Sequence, residues 1–175
     1  MRVVLALAAA IPAFASAAAL DMPSRKPGLW DVTMTFASGP VAGRSMASQH
    51  CIDAEVDKMR GFAASGAGKC DFVKMDKTAT GFVFDSECKL DSGTVQTHGV
   101  VTGSLDAAYS MDVTTKHVGA APPSMPAESH MKIDGKWLGA CKAGQRPGDV
   151  MMPNGMTINV LDAAKMAPPQ MPKRP

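Results

Sequence analysis

Trp30, Val32, Met34 and Phe36 alternate with Asp31, Thr33 and Thr35, and this period of two predicts a β-strand with one buried face. Gly39-Pro40 and Gly43 end the strand, and a second extended piece is predicted over Ser45–Ile52. Two more extended runs, Cys70–Asp76 and Gly81–Cys88, flank the polar turn Lys77-Thr78-Ala79-Thr80. Centring that turn on Ala79 sets Phe72 opposite Ser86, Lys74 opposite Phe84 and Cys70 opposite Cys88. Val95, Thr97, Gly99 and Val101 then alternate with Gln96, His98 and Val100. After a turn at Gly103-Ser104-Leu105-Asp106, Tyr109, Met111 and Val113 alternate with Ser110, Asp112 and Thr114, which predicts a second hairpin. Thr115–Ser129, with Pro122, Pro123 and Pro126, is expected to be a loop, and Met131 and Ile133 open a last strand that runs to Cys141.

One short helix is predicted over Asp53–Arg60. Asp53 can accept from the free amides at its start, Glu55 and Asp57 come early, Lys58 and Arg60 late, and Gly61 can stop it. Val56 and Met59 share its apolar face. The predicted fold is mainly β (a β-rich α+β class): a curved antiparallel sheet or sandwich of about six strands with one short helix and two disulfides.

Composition changes this picture in three ways. Aromatic residues are only 5% of the chain while 46% is hydrophobic, so Val, Leu, Ile, Met and Ala must fill the core. Residues 1–19 have a leader's character: Arg2, the apolar run Val3–Ile11, the breaker Pro12, and small residues that fit cleavage after Ala17 or Ala19. Pro12 and the many alanines argue against a membrane anchor, and no other segment is long and apolar enough to span, so the mature protein is expected to be soluble and exported to the periplasm. Third, 18 basic residues nearly balance 16 acidic ones, which gives no electrostatic case for nucleic acid or an anionic membrane surface.

Four cysteines, Cys51, Cys70, Cys88 and Cys141, lie beyond the leader without any CxxC, so disulfides are favoured over a zinc knuckle or a redox pair. The hairpin selects Cys70–Cys88, and Cys51–Cys141 follows by elimination. A disulfide-stabilised domain over residues 20–143 is expected, followed over 144–175 by a flexible tail rich in Met and Pro. The glycine-rich stretch before Cys70 fails as a phosphate cradle: Ala63 stands where the first glycine is required, and Cys70 follows Lys69 in place of Ser or Thr.

The succession Pro27-Gly28-Leu29-Trp30, Cys51-Ile52-Asp53, Cys70, Cys88, Tyr109 with Met111, and Leu138-Gly139-x-Cys141 resembles an exported bacterial family known as domain of unknown function 3617. The resemblance covers about residues 24–142. It implies a periplasmic, β-rich single domain with the four cysteines in two cystines, and it carries no activity, substrate or catalytic residue.

Three kinds of site are weighed. Met125, His130, Met131, Met151, Met152 and Met156 cluster soft donors that suit Cu(I), the alternative to methionine as a filler of irregular core gaps. His98 and His130 fall on predicted strands and could approach one another. No GxSxG or HExxH is present, the cysteines are committed to cystines, and Asp85, Glu87 and Asp91 suit a solvated face, so no enzyme and no cofactor is expected. Trp30, Phe36, Tyr109, Met111 and Val113 by default form an ordinary core under the short helix; as an apolar sheet face they could equally hold a small apolar ligand, and Leu29–Phe36 or Met131–Leu138, taken as edge strands, could receive an envelope protein partner. A non-catalytic binding or interaction role in the envelope is the expectation.

Overall fold

The computed structural model describes residues 23–38, 41–63, 69–90, 93–119 and 126–166, with backbone alone for 59–63 and 69–73. The expected leader, Met125 and the end of the tail lie outside the described residues.

Alternation produces seven long strands in chain order: β1 (Gly28–Phe36), β2 (Ser45–Ile52), β3 (Lys69–Lys77), β4 (Gly81–Leu90), β5 (Gly93–Ser104), β6 (Ala108–Gly119) and β7 (Glu128–Gly139). Helix α1 (Ala54–Ala63) follows β2, and β8 (Asp149–Met151), β9 (Thr157–Asn159) and α2 (Val160–Met166) close the described chain. The strands form one antiparallel sheet in the order β3-β4-β5-β6-β7-β1-β2-β8-β9. The mainly β class holds, and of the two architectures expected it is the antiparallel sheet, open and with nine strands among the described residues where about six were expected.

The first hairpin shows two displacements that cancel. Its turn closes with the Thr78 N–H donating to the Gly81 carbonyl, so Met75 faces Phe84 and Lys74 faces Asp85, one step from expectation. A bulge between Phe72 and Lys74 then restores Phe72 opposite Ser86 and Cys70 opposite Cys88. The backbone thus provides the register that a Cys70–Cys88 bridge needs, and the Cys70 side chain lies outside the described ones. Among the described side chains Cys51 and Cys141 form a disulfide, with Cα atoms 5.5 Å apart, which ties the end of β2 to the segment after β7, and Cys88 is disulfide-bonded as well.

Asp53 caps α1 as expected, its Oδ1 accepting from the Val56 N–H at 2.8 Å. The helix passes through Gly61 to Ala63, because an interior glycine costs only about 1 kcal/mol and does not compel a stop. Val56 enters the core with Trp30, Val32, Ile52, Phe82, Phe84, Val101 and Tyr109. Arg25, just before β1, straps this core from the edge. Its guanidinium donates to Asp57 at 2.6 and 2.8 Å and to the Tyr109 hydroxyl at 3.2 Å, and it lies over the Trp30 and Tyr109 rings.

Two expectations need correction. The loop expected over Thr115–Ser129 is shorter, since β6 runs to Gly119 on its pairing with β5, and β7 begins at Glu128. The tail expected to be flexible from 144 is folded through residue 166. β8 adds to β2 through Gln49–Met151 and His50–Val150, and Val160 and Leu161 of α2 pack against the core. Asn159 joins the pieces, its amide N–H donating to Asp149 at 2.7 Å while its Oδ1 accepts from the Leu161 and Asp162 amides at the start of α2.

Asp149 is buried in this unit. The Arg146 backbone N–H first, then the Asn159 amide, hold its carboxyl below the usual carboxylate range. A depressed pKa means that the contribution is full above the unfolded value of about 3.9 and is lost as pH falls through the lower folded value. Asp149→Asn is therefore expected to cost about 1–3 kcal/mol at neutral pH and to remove one acid-dependent loosening of residues 149–162. Hydrogen exchange of that segment between neutral pH and acid checks both effects.

Candidate ligand-binding face

Directly opposed residues of a sheet share a face. The register therefore places Arg44, Phe36, Met131, Val113, Gly99, Phe84 and Met75 in one row across the sheet: Phe36 donates its backbone N–H to the Arg44 carbonyl, and each later pair is a direct partner. A second row, Met46, Met34, Ile133, Met111, Val101 and Phe82, runs beside it. Trp30 and Tyr109 lie on this same face, toward α1, with ring centroids 5.5 Å apart. All five residues expected to form an apolar face, Trp30, Phe36, Tyr109, Met111 and Val113, thus share one side of the sheet.

The five differ in environment. Trp30 and Tyr109 are core, buried under α1 and Arg25, whereas Phe36, Met111 and Val113 are half-buried. So are Met34, Met131 and Ile133 beside them. At the β1–β2 corner the surface dips into an open hollow of about 430 Å³ lined by Phe36, Val41, Arg44, Ser45 and Met46. Val41 and Met46 are exposed there.

The acidic side chains of the strands are segregated to one face. The outer face carries Lys132–Asp134, Lys116–Glu128 and Lys74–Asp76 ion pairs, with His98 on Asp85 and His130 on Glu128. No Asp or Glu occupies an inner-face position of β1, β2, β4, β5, β6 or β7. Arg44 stands at the end of the first inner row, and its guanidinium makes no ion pair among the described residues. Sequence reasoning missed Arg44 because Gly39-Pro40 and Gly43 were read only as a strand end. Carrying the alternation of β1 around that hairpin would have found it.

Among the described residues the soft donors do not converge. His130 and Met131 point to opposite faces, and both ring nitrogens of His130 are engaged, Nδ1 with the Thr114 hydroxyl at 3.1 Å and Nε2 with Glu128 at 2.9 Å. Met151 accepts a hydrogen bond from the Gln145 amide, and Met152 and Met156 flank the β8–β9 turn. His98 and His130 lie in one outer row with Thr114 between them, two strand spacings or roughly 10 Å apart, so they do not meet. Among the described residues no cluster of three His, Cys, Asp or Glu could hold a metal ion.

The strands taken as edges are interior: β1 lies between β7 and β2, and β7 between β6 and β1. The sheet ends at β3 and β9. No helix among the described residues is long and apolar enough to cross a membrane.

A sequence family described as "Protein of unknown function (DUF3617)" matches residues 25–141. No curated protein and no solved structure matches the chain.

Proposed function

This chain belongs to the DUF3617 family, and from its geometry we propose that it is a non-catalytic binding protein of the cell envelope that holds an apolar ligand on the inner face of its sheet. One observation carries this reading. Two apolar rows cross the open end of the sheet, half-buried around Phe36, Met131, Val113, Met34, Ile133 and Met111 and free of carboxylates, while the acidic side chains of these strands lie on the opposite face. A sheet face that served only as core would be covered along its whole length, as it is beneath α1. Export to the periplasm fits both the leader-like residues 1–19 and a disulfide that an oxidising compartment maintains.

The test is native mass spectrometry and solvent extraction of protein purified from periplasm. An apolar small molecule is expected to co-purify at close to one per chain. Val113→Asp, which puts a charge in the half-buried row without touching the core under α1, is expected to abolish its retention while the circular dichroism stays unchanged. Ligand-free native protein would overturn the reading.

A further inference from the structure

We infer that the ligand is a single-chain amphiphile with an anionic head, its chain lying along the Phe36–Met131–Val113 row and its head at Arg44. This deepens the binding-face reading and rests on it. The accessible part of the row runs from Arg44 to Val113, three strand spacings or about 14 Å, which suits an extended chain better than a compact metabolite. The Phe84 ring lies over Gly99, so closely that a Cβ there would fall 2.2 Å from it, and this ring closes the row at its far end. At the near end the hollow brings Arg44 beside Phe36, Val41 and Met46.

Charge fixes the head group. An anion entering a partly apolar hollow must recover its lost hydration from a cation, and a guanidinium offers a carboxylate or phosphate two parallel hydrogen bonds. Arg44 is available for that role because no acidic side chain pairs with it among the described residues. No inner-face carboxylate on the six strands named above would repel the ligand. Among the described residues the other inner-face cations stand away from the hollow: Lys77 at the far edge of the neighbouring row, opposite Phe82, and Arg25 over Trp30 and Tyr109, where it is paired with Asp57.

Displacement of the neutral dye Nile red from the mature protein tests this with chain-matched probes. Dodecanoate is expected to compete about tenfold to a hundredfold better than dodecanol, the range of a charge-assisted hydrogen bond. Arg44→Gln should bring dodecanoate down to the level of dodecanol and leave dodecanol unchanged, and Arg44→Lys should keep part of the preference. Dodecyl phosphate, run beside dodecanoate, distinguishes a phosphate head from a carboxylate. Equal competition by dodecanoate, dodecyl phosphate and dodecanol, unmoved by Arg44→Gln, would overturn the anionic head while leaving the binding face in place. Failure of the protein to take up Nile red or any of these chains would overturn the face itself, and this inference with it.

Discussion

Replacing Cys51 and Cys141 together by serine is expected to lower stability by about 4–5 kcal/mol, the chain-entropy value for a crosslink that closes a loop of this length. The bridge spans 90 residues, and between its ends lie β3, β4, β5, β6 and β7, so it restrains most of the unfolded domain. Its native surroundings add to the effect. Cys51 is buried, and its carbonyl accepts the Gly148 N–H, whose own carbonyl accepts the Val160 N–H at the start of α2. Cutting the bridge therefore also frees the hinge that seats β8, β9 and α2. The melting temperature is expected to fall by roughly 10–20 °C, at about 2–4 °C per kcal/mol for a domain of this size. A fall below about 1 kcal/mol in urea unfolding would show that the bridge only decorates contacts already sufficient.

The elements whose apolar positions recur every two residues were legible in the chain. β1 and β2 stand where alternation placed them, and Asp53 caps α1 because a short carboxylate before a free amide needs nothing distant. Cys70 opposite Cys88 was also legible, although by compensation: the turn is displaced one way and the Val73 bulge the other, and neither leaves a mark in the alternation. What stayed hidden depends on partners far along the chain. Thr115, Lys116 and His117 carry weak strand signals, and it is the ladder to Gln96, Thr97 and Val95 that keeps them extended. Composition after Ala143 suggested a mobile tail, yet Gly144, Gly148 and Gly155 sit at positive φ where the chain must turn, and Asn159 satisfies the resulting fold. For the candidate site, the five apolar residues were readable by parity. Their division into a covered core and an open row was not, because it depends on where α1 ends and on the Arg25 strap.

Gly135→Ala is expected to be among the most damaging single substitutions, at about 2–4 kcal/mol, because it would drive a methyl group into the centre of the core. A Cβ at this position falls 2.3 Å from Cε1 and 2.6 Å from Cζ of Tyr109. Backbone cannot give way cheaply, since Gly135 is paired on one side with Val32 and on the other with Tyr109 itself. The ring cannot swing out either. It lies across β7 to reach Trp30, two strands away, and its hydroxyl accepts from Arg25. The absent side chain is thus what allows a core with few aromatic residues to join its Trp and Tyr over an intervening strand. Displacing the ring would loosen the Arg25 guanidinium from its seat over Trp30 and Tyr109 and, through Asp57, the docking of α1. The second variant Gly135→Ala/Tyr109→Ala separates clash from strand propensity. If steric conflict is the cause, the double mutant should be less destabilised than the sum of the two single changes by at least about 1 kcal/mol, whereas simple additivity in urea unfolding would refute the packing account.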